Sequence, residues 1–466
     1  MKKIIVIGAG ASGMLAAITA ARQGASVTIL EGMEKPGKKL LITGSGRCNL
    51  TNLRQEITCY RGADSAFISG ILRQLPVKDT LAFFRELGLL TVSRDGYVYP
   101  VTGQASSVLE VLLLEIRRLG IKLKCTEKVT AIRREDKLLV KTAGWTYEAD
   151  AVILAAGSKA APATGSDGSG YSLAKSCGHS LVTPREALVP LAIRESWVKK
   201  LSGLRMQASV TLEGHTETGE LQWTDTGISG IVVFQLSRYA VCALAKQQEK
   251  QISGVPVQLD LLPSVSGEAL LSHLQQLQAL RDGRSAESLL AGVLAKKAAG
   301  PLLQAAGISP SEKAERLDGG ALQRLVKVMK QLTLTVSGCR SFEQAQVCQG
   351  GVRHTEVDAQ TLESKKMPGL YITGELLDVD GICGGYNLQW AWASGFAAGR
   401  AAGSQEKMAA TKAAGSQEKM AAAKATDRPE REQCCKAADH PERERCCKMA
   451  DRPADNASER AERSTL

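Results

Sequence analysis

Three features of the sequence predict an α/β fold in which a discontinuous Rossmann-type domain carries an insert. A glycine-rich turn at residues 8–13 joins a β-branched run to an apolar helix, composition changes near residue 184, and strand signals resume beyond residue 330. Residues 3–7 read as a buried strand, 11–23 as a helix and 26–30 as a second strand. Residues 32–52, rich in Gly, Lys, Thr and Asn, read as a long functional loop. Leu and Val recurring at three and four predict helices over 77–87 and 106–119, and strand-like runs follow at 122–125, 129–133, 138–142 and 151–155, a hairpin-rich sheet returning toward the first strands.

Short alternating runs at 207–212 and 255–261 predict a small β domain, and 267–332 reads mostly as helix broken at Gly283, Gly300 and Gly307. Strands are expected again at 332–336 and 370–373, and a last helix from Tyr386 to about residue 401. The plan is a nucleotide-binding domain in two parts, 1–188 and 336–403, around an insert at 189–335. A tail at 404–466 follows. In it residues 401–412 recur as 413–424, and 427–438 recur as 439–450. Ala, Glu, Lys and Arg dominate these blocks, which lack the large apolar residues of a core, so the tail reads as disordered or loosely helical and dispensable. Its paired cysteines at 434–435 and 446–447 are explained by the duplication, and no metal is expected.

Composition bounds the function. With 44 % hydrophobic and 23 % charged residues, the chain is an ordinary soluble globular protein. At 4 % aromatic content, stacking platforms for single-stranded nucleic acid are not expected. Acids and bases nearly balance in the tail, so most of the net charge of +11 lies on the body. No Lys/Arg run marks a patch, and the excess reads as an unremarkable surface that could favour an anionic cofactor or substrate, or weak RNA contact. The cysteines of the body are scattered and read as free thiols of a cytoplasmic protein. The apolar start is interrupted by glycines at phosphate-loop spacing, which argues against an export signal, and no later run is long enough to span a membrane.

Gly8, Ala9, Gly10, Ala11, Ser12 and Gly13 form a GxGxxG turn between strand and helix, and Glu31 ends the second strand. Gly8 permits the tight turn, Gly10 lets a pyrophosphate approach the backbone, and Gly13 lets helix and strand pack closely. The helix N-terminus offers free N–H groups to phosphate, and Glu31 can accept from ribose hydroxyls. FAD and NAD share this fingerprint. The N-terminal location, a second strand ending in Ala156-Gly157, and a third ending in Gly374-Glu375, whose acid can bind ribityl hydroxyls, favour FAD.

Residues 38–52 (KKLLITGSGRCNLTN) and 369–395 (GLYITGELLDVDGICGGYNLQWAWASG) resemble signatures of the BaiN/RdsA family of FAD-dependent oxidoreductases, also called YhiN-like or the aminoacetone oxidase family. Residues 157–178 and 226–238 fit the same family, and the resemblance covers 1–403. It implies an FAD domain interrupted by a small β-barrel plus helices. It also implies that Lys39, Gly44, Gly46, Arg47, Cys48 and Asn49 lie beside the cofactor, with Val129, Ala156 and Gly157 along it. Gly374, Glu375, Gly385, Tyr386, Asn387 and Leu388 complete the implied set, the last helix aiming its N-terminus at the flavin, where Asn387 or nearby main-chain N–H groups would stabilise the reduced form.

No catalytic residue is assigned. Arg47, Cys48, Cys383 and Asp380 are the candidates: a cation for phosphate or substrate, two thiols near the flavin whose packing outweighs a redox role, and an acid for proton transfer or for a turn. His179, His215, His273 and His354 form no acid–base constellation. The expected activity is FAD-dependent reduction of a small organic molecule with NADH or NADPH as a transient donor, although no second GxGxxG is visible for it. The alternatives are an oxygen-reoxidised amine oxidase and a flavin-holding RNA-associated protein. Neither a membrane nor nucleic acid is expected as partner.

Overall fold

The computed structural model describes residues 1–249 and 254–404. The tail lies outside the described residues, and with it the expectations of disorder, dispensability and metal-free cysteines. Five parallel strands form the central sheet: β1 (Lys3–Ile7), β2 (Ser26–Leu30), β3 (Lys122–Lys124), β4 (Ala151–Leu154) and β5 (Leu370–Ile372), in the order β5–β4–β1–β2–β3. Strands covered on both faces must be apolar where buried, as IIVI after the exposed Lys3 of β1 and AVIL of β4 are. Polar Lys-Leu-Lys goes to the edge. β1 pairs Ile4 with Ala151 on one side and with Val27 on the other.

Two helices govern the site. α1 (Ala11–Arg22) follows β1, and α3 (Tyr386–Gly403) lies parallel to it; between them in sequence comes α2 (Ile231–Glu249). Small residues four apart mesh α1 and α3. A Cβ on Gly395 would stand 2.4 Å from the Ser12 carbonyl oxygen, and one on Gly399 2.3 Å from that of Ala16. Gly403 meets Ala20 in the same way. The helices therefore touch backbone to backbone, and both N-termini open at the carboxyl end of the sheet, where α/β folds bind ligands.

Six strands close a barrel after the first four sheet strands and before β5: Leu191–Ile193, Gly227–Ser229, His215–Trp223, Arg205–Leu212, Val255–Asp260 and Leu332–Cys339. Helices Gly267–Ala279, Ala286–Leu289, Lys296–Ala305 and Gly319–Lys330 bridge its last two strands. The barrel and its helices have an apolar core of their own around Trp223, while Trp390 and Trp392 lie in the core of the sheet. α2 braces the two parts. Its Ser237 Oγ accepts from Val189 N at 3.3 Å, and its Gln235 Oε1 accepts from Cys383 N at 3.0 Å.

Two local expectations need correction. The segment 32–52 is not one long loop, because it contains a helix at Lys38–Ile42 and a short strand at Thr51–Asn52. The two adjacent leucines of the helix are too few to show a period. The run at 122–125 forms no hairpin. It joins β2 in parallel, Thr28 opposite Lys122, and only Val129–Arg134, Leu138–Thr142 and Thr146–Ala149 make the antiparallel meander.

Candidate active site

A cleft of about 300 Å³ runs along the carboxyl edge of the sheet, between the N-termini of α1 and α3. Gly8, at φ +104°, begins it: a Cβ there would lie 2.5 Å from the Ala155 carbonyl oxygen, and one on Gly13 would lie 2.0 Å from the carbonyl oxygen of Gly8. Gly10 differs, since nothing stands within 4 Å of its added Cβ. The space over Gly10 opens into the cleft beside the first turn of α1, which has no side-chain cap. Such a turn presents unpaired N–H groups and a positive dipole end to an anion.

Glu31 lines the cleft, and its carboxylate is fixed by main-chain donors, Ala9 N at 2.7 Å and Met33 N at 2.8 Å. Each oxygen keeps a second lone pair for a ribose hydroxyl. Glu375 sits farther along, with Oε2 accepting from Lys39 Nζ at 2.6 Å and from Ser158 Oγ at 2.9 Å. Its Oε1 is buried and has no partner among the described residues. An unpaired buried carboxylate oxygen is costly, and a ribityl hydroxyl would satisfy it. The open space at Gly10 and this orphaned acceptor fit FAD.

Thirteen of the expected cofactor positions line the cleft: Gly8, Ala9, Gly10, Ala11, Ser12, Glu31, Lys39, Val129, Ala156, Gly157, Glu375, Asn387 and Leu388. The others lie outside its wall, for local reasons. Gly13 and Gly374 are packing glycines; a Cβ on Gly374 would meet Ser12 Oγ at 2.4 Å. Gly44, Ser45, Gly46 and Cys48 all have positive φ, so the chain coils tightly over this stretch, with Cys48 N bonded to Thr43 O at 2.9 Å. That coil exposes Gly44, Gly46 and Arg47, and only Thr43 of the loop reaches the cleft. Arg47 instead stacks over Tyr99 at 5.5 Å. Asn49, with its amide turned to satisfy its neighbours, bonds Val98 O, Thr51 O and Gly385 N, bracketing the turn before α3.

At that turn Gly385 has φ +93°, and a Cβ would meet Thr51 O at 2.6 Å. Tyr386 packs edge-on against Tyr60, 5.8 Å between centroids. The Asn387 side chain lines the cleft but is held by the main chain of Gly381. Its Oδ1 accepts from Gly381 N and its Nδ2 donates to Gly381 O, both at 2.8 Å.

None of the catalytic candidates lines the cleft. Cys48 and Cys383 are free thiols, each pushed up to about 12 by burial, so neither is a thiolate near neutrality. Asp380 is 3 % exposed and bonds Arg238 Nη2 at 3.1 Å. Burial, only partly offset by Arg238 and Arg61, pushes it up to about 6. His179 is buried between Glu356 and Ser364. Sequence reasoning missed Gly165, Ser166 and Asp167, and Gln346 and Val347, which carry no local signal; all five line the cleft.

This fold and this cleft define an FAD-dependent oxidoreductase. The chain belongs to the HI0933-like family, whose Rossmann domain matches residues 2–401. It is 44 % identical over 414 residues to a 3-dehydro-bile acid delta(4,6)-reductase of Clostridium scindens, covering 86 % of this chain and 99 % of that relative. It is also 29 % identical over 402 residues to a ribosomal RNA dihydrouridine synthase of Haemophilus influenzae, and 28 % identical over 398 residues to one of Escherichia coli; each match covers 84 % of this chain and 96 % of the relative. Two relatives named for ribosomal RNA leave the expectation of no nucleic-acid partner unsupported. Among the described residues no helix is long and apolar enough to cross a membrane.

Proposed function

We propose that this chain reduces a carbon–carbon double bond conjugated to a carbonyl in a small organic substrate, with NADH or NADPH supplying the electrons. The observation that carries the reading is 44 % identity, over nearly the whole relative, to a delta(4,6)-reductase of 3-dehydro-bile acids. The more distant relatives agree in chemistry, since making dihydrouridine also saturates a double bond next to a carbonyl. The chemistry that FAD would supply when bound is hydride transfer from the donor to the β-carbon of the alkene, with a proton from solvent taken up at the α-carbon. The chain's own residues would hold and tune the cofactor. The first turn of α1 would receive the pyrophosphate over Gly10, Glu31 the adenosine ribose, and Glu375, held by Lys39 and Ser158, the ribityl chain. The first turn of α3, which has no side-chain cap, would offer N–H groups and a positive dipole end to the negative charge of a reduced flavin.

Anaerobic mixing of the yellow protein with NADH or NADPH tests this. The blue absorption band bleaches with at least one donor, and adding 3-oxochol-4-en-24-oic acid restores it with formation of the saturated ketone. Failure of both donors to bleach the band removes the nicotinamide step. Restoration only by oxygen, with peroxide release, points instead to an oxidase. A second reading, reduction of uridine in RNA, is favoured by the names of the distant relatives, and dihydrouridine in ribosomal RNA incubated with protein and donor would establish it.

A further inference from the structure

Beside the cleft, α2 and its neighbours gather a cationic and aromatic group that the cofactor does not use. Arg61 comes from the strand Tyr60–Gly62, Arg238 and Tyr239 from α2, and His215 from the barrel strand His215–Trp223. His215 stacks on Tyr239 at 3.7 Å with 13° between planes. The guanidinium groups of Arg61 and Arg238 stand 5.8 and 6.0 Å from the centroid of the same ring. One buried carboxylate bonds Arg238 and lies within the field of Arg61. Asp380 bonds Arg238 and pairs with Arg61 in strand register. Among the described residues the Arg61 guanidinium makes no hydrogen bond or ion pair, and Arg238 Nε is buried without a partner. Asp378 adds a second buried acid within the field of Arg238, and the unused donors of Arg61 and Arg238 stand beside a rigid aromatic face. Arginine uses that geometry for carboxylate and phosphate.

The position connects this group to the cleft. One turn earlier on α2, Gln235 bonds Cys383 N, and Phe234 packs with Leu188, Cys383 and Val347. Val347 lines the cleft. Four residues of helix separate the two contacts, about 6 Å of rise. Packed apolar side chains, Leu188 and Val347 buried and Phe234 half-buried, thus stand between the cleft and the two arginines.

We infer that Arg61, Arg238, Tyr239 and His215 form an anchoring site for an anionic group, carboxylate or phosphate, on a small organic molecule whose apolar remainder rests against Phe234, on the side that faces the cleft. The inference rests on the proposed reduction for its choice of ligand. The apolar wall favours a small organic acid over an RNA backbone, which would present charge throughout.

Binding is read in oxidised, FAD-loaded protein from the perturbation of the flavin spectrum, so no turnover is needed. The probes are 3-oxochol-4-en-24-oic acid, its methyl ester, uridine monophosphate and a uridine-rich RNA oligonucleotide. Arg61→Gln, which breaks no hydrogen bond or ion pair, weakens the free acid about tenfold, the loss of one charge-assisted hydrogen bond, and leaves the ester unchanged. Arg61→Lys retains part of the affinity. A loss confined to uridine monophosphate supports the site with phosphate as its anion. The inference is overturned if acid and ester weaken equally, if neither changes, if none of the probes binds the unmutated protein, or if only the oligonucleotide responds. A failed turnover assay with an intact charge-dependent difference in binding would refute the proposed reaction and leave the site standing.

Discussion

Gly10 and Gly13 lie three residues apart in one motif, and the structure assigns them opposite kinds of sensitivity. At Gly10 the backbone is extended, at φ −84° and ψ −172°, and an added Cβ meets no protein atom within 4 Å. Gly10→Ala therefore leaves the cofactor-free protein within about 0.5 kcal/mol of the original stability. Its methyl instead fills the space open to the pyrophosphate and displaces an anion from the N–H groups of α1. Losing one charge-assisted hydrogen bond costs about 1.5–3 kcal/mol, roughly a tenfold to hundredfold rise in the FAD Kd. At Gly13 the added Cβ would stand 2.0 Å from the Gly8 carbonyl oxygen, far inside contact distance. Relief requires α1 to move away from β1, a core overpacking of about 1–3 kcal/mol or more even without cofactor. The assay is denaturant unfolding of both apoproteins, followed by FAD titration read by quenching of flavin fluorescence. Equal destabilisation by the two substitutions, or unaltered FAD affinity in Gly10→Ala, would refute the reasoning.

Glu375→Gln removes the acceptor charge facing Lys39 and is expected to weaken FAD binding about tenfold or more, read by equilibrium dialysis. Asp380 has a folded pKa raised to about 6 from 3.8, so the native state holds its proton where the unfolded state has lost it; its contribution is full below pH 3.8 and is lost as pH rises through 6. Relative to the unmutated protein, Asp380→Asn should thus gain stability between pH 4 and pH 7, by on the order of 3 kcal/mol, in paired urea titrations; no change in the difference between those pH values would contradict the assignment. Cys48 and Cys383, protonated by burial, should resist a thiol reagent at pH 7.5 until the protein unfolds, as mass spectrometry of the labelled peptides would show.

Local signals sufficed where the chemistry is local. The β-branched run, the spaced glycines and the acid closing β2 all fall within the first 31 residues, and each glycine has a separate steric duty that its spacing reveals. The same holds for the onset of α3 at Tyr386, marked by two glycines that must adopt positive φ. Side-chain direction was not legible in residues 43–49. Arg47 looks like a cofactor ligand by type, but consecutive left-handed residues aim it at Tyr99. Asn387 looks like a flavin contact and is consumed by Gly381. Distant pairings were equally hidden. Lys39 meets Glu375, and Arg238 crosses from the barrel side to Asp380, through tertiary contacts that no window of sequence contains.

The meshing of Ser12, Ala16 and Ala20 with Gly395, Gly399 and Gly403 also sets a schedule. The first cofactor-binding helix emerges from the ribosome with the rest of its domain, and its partner follows roughly 380 residues later. At typical elongation rates that is about 20–80 s during which the α1 surface, made of Ala, Ser and Met, has no helix to cover it. The barrel can close within this interval, because its strands and its core arise from the chain in between. The FAD cleft cannot be completed until α3 arrives. Synthesis therefore favours loading the cofactor last, into a body whose insert is already folded.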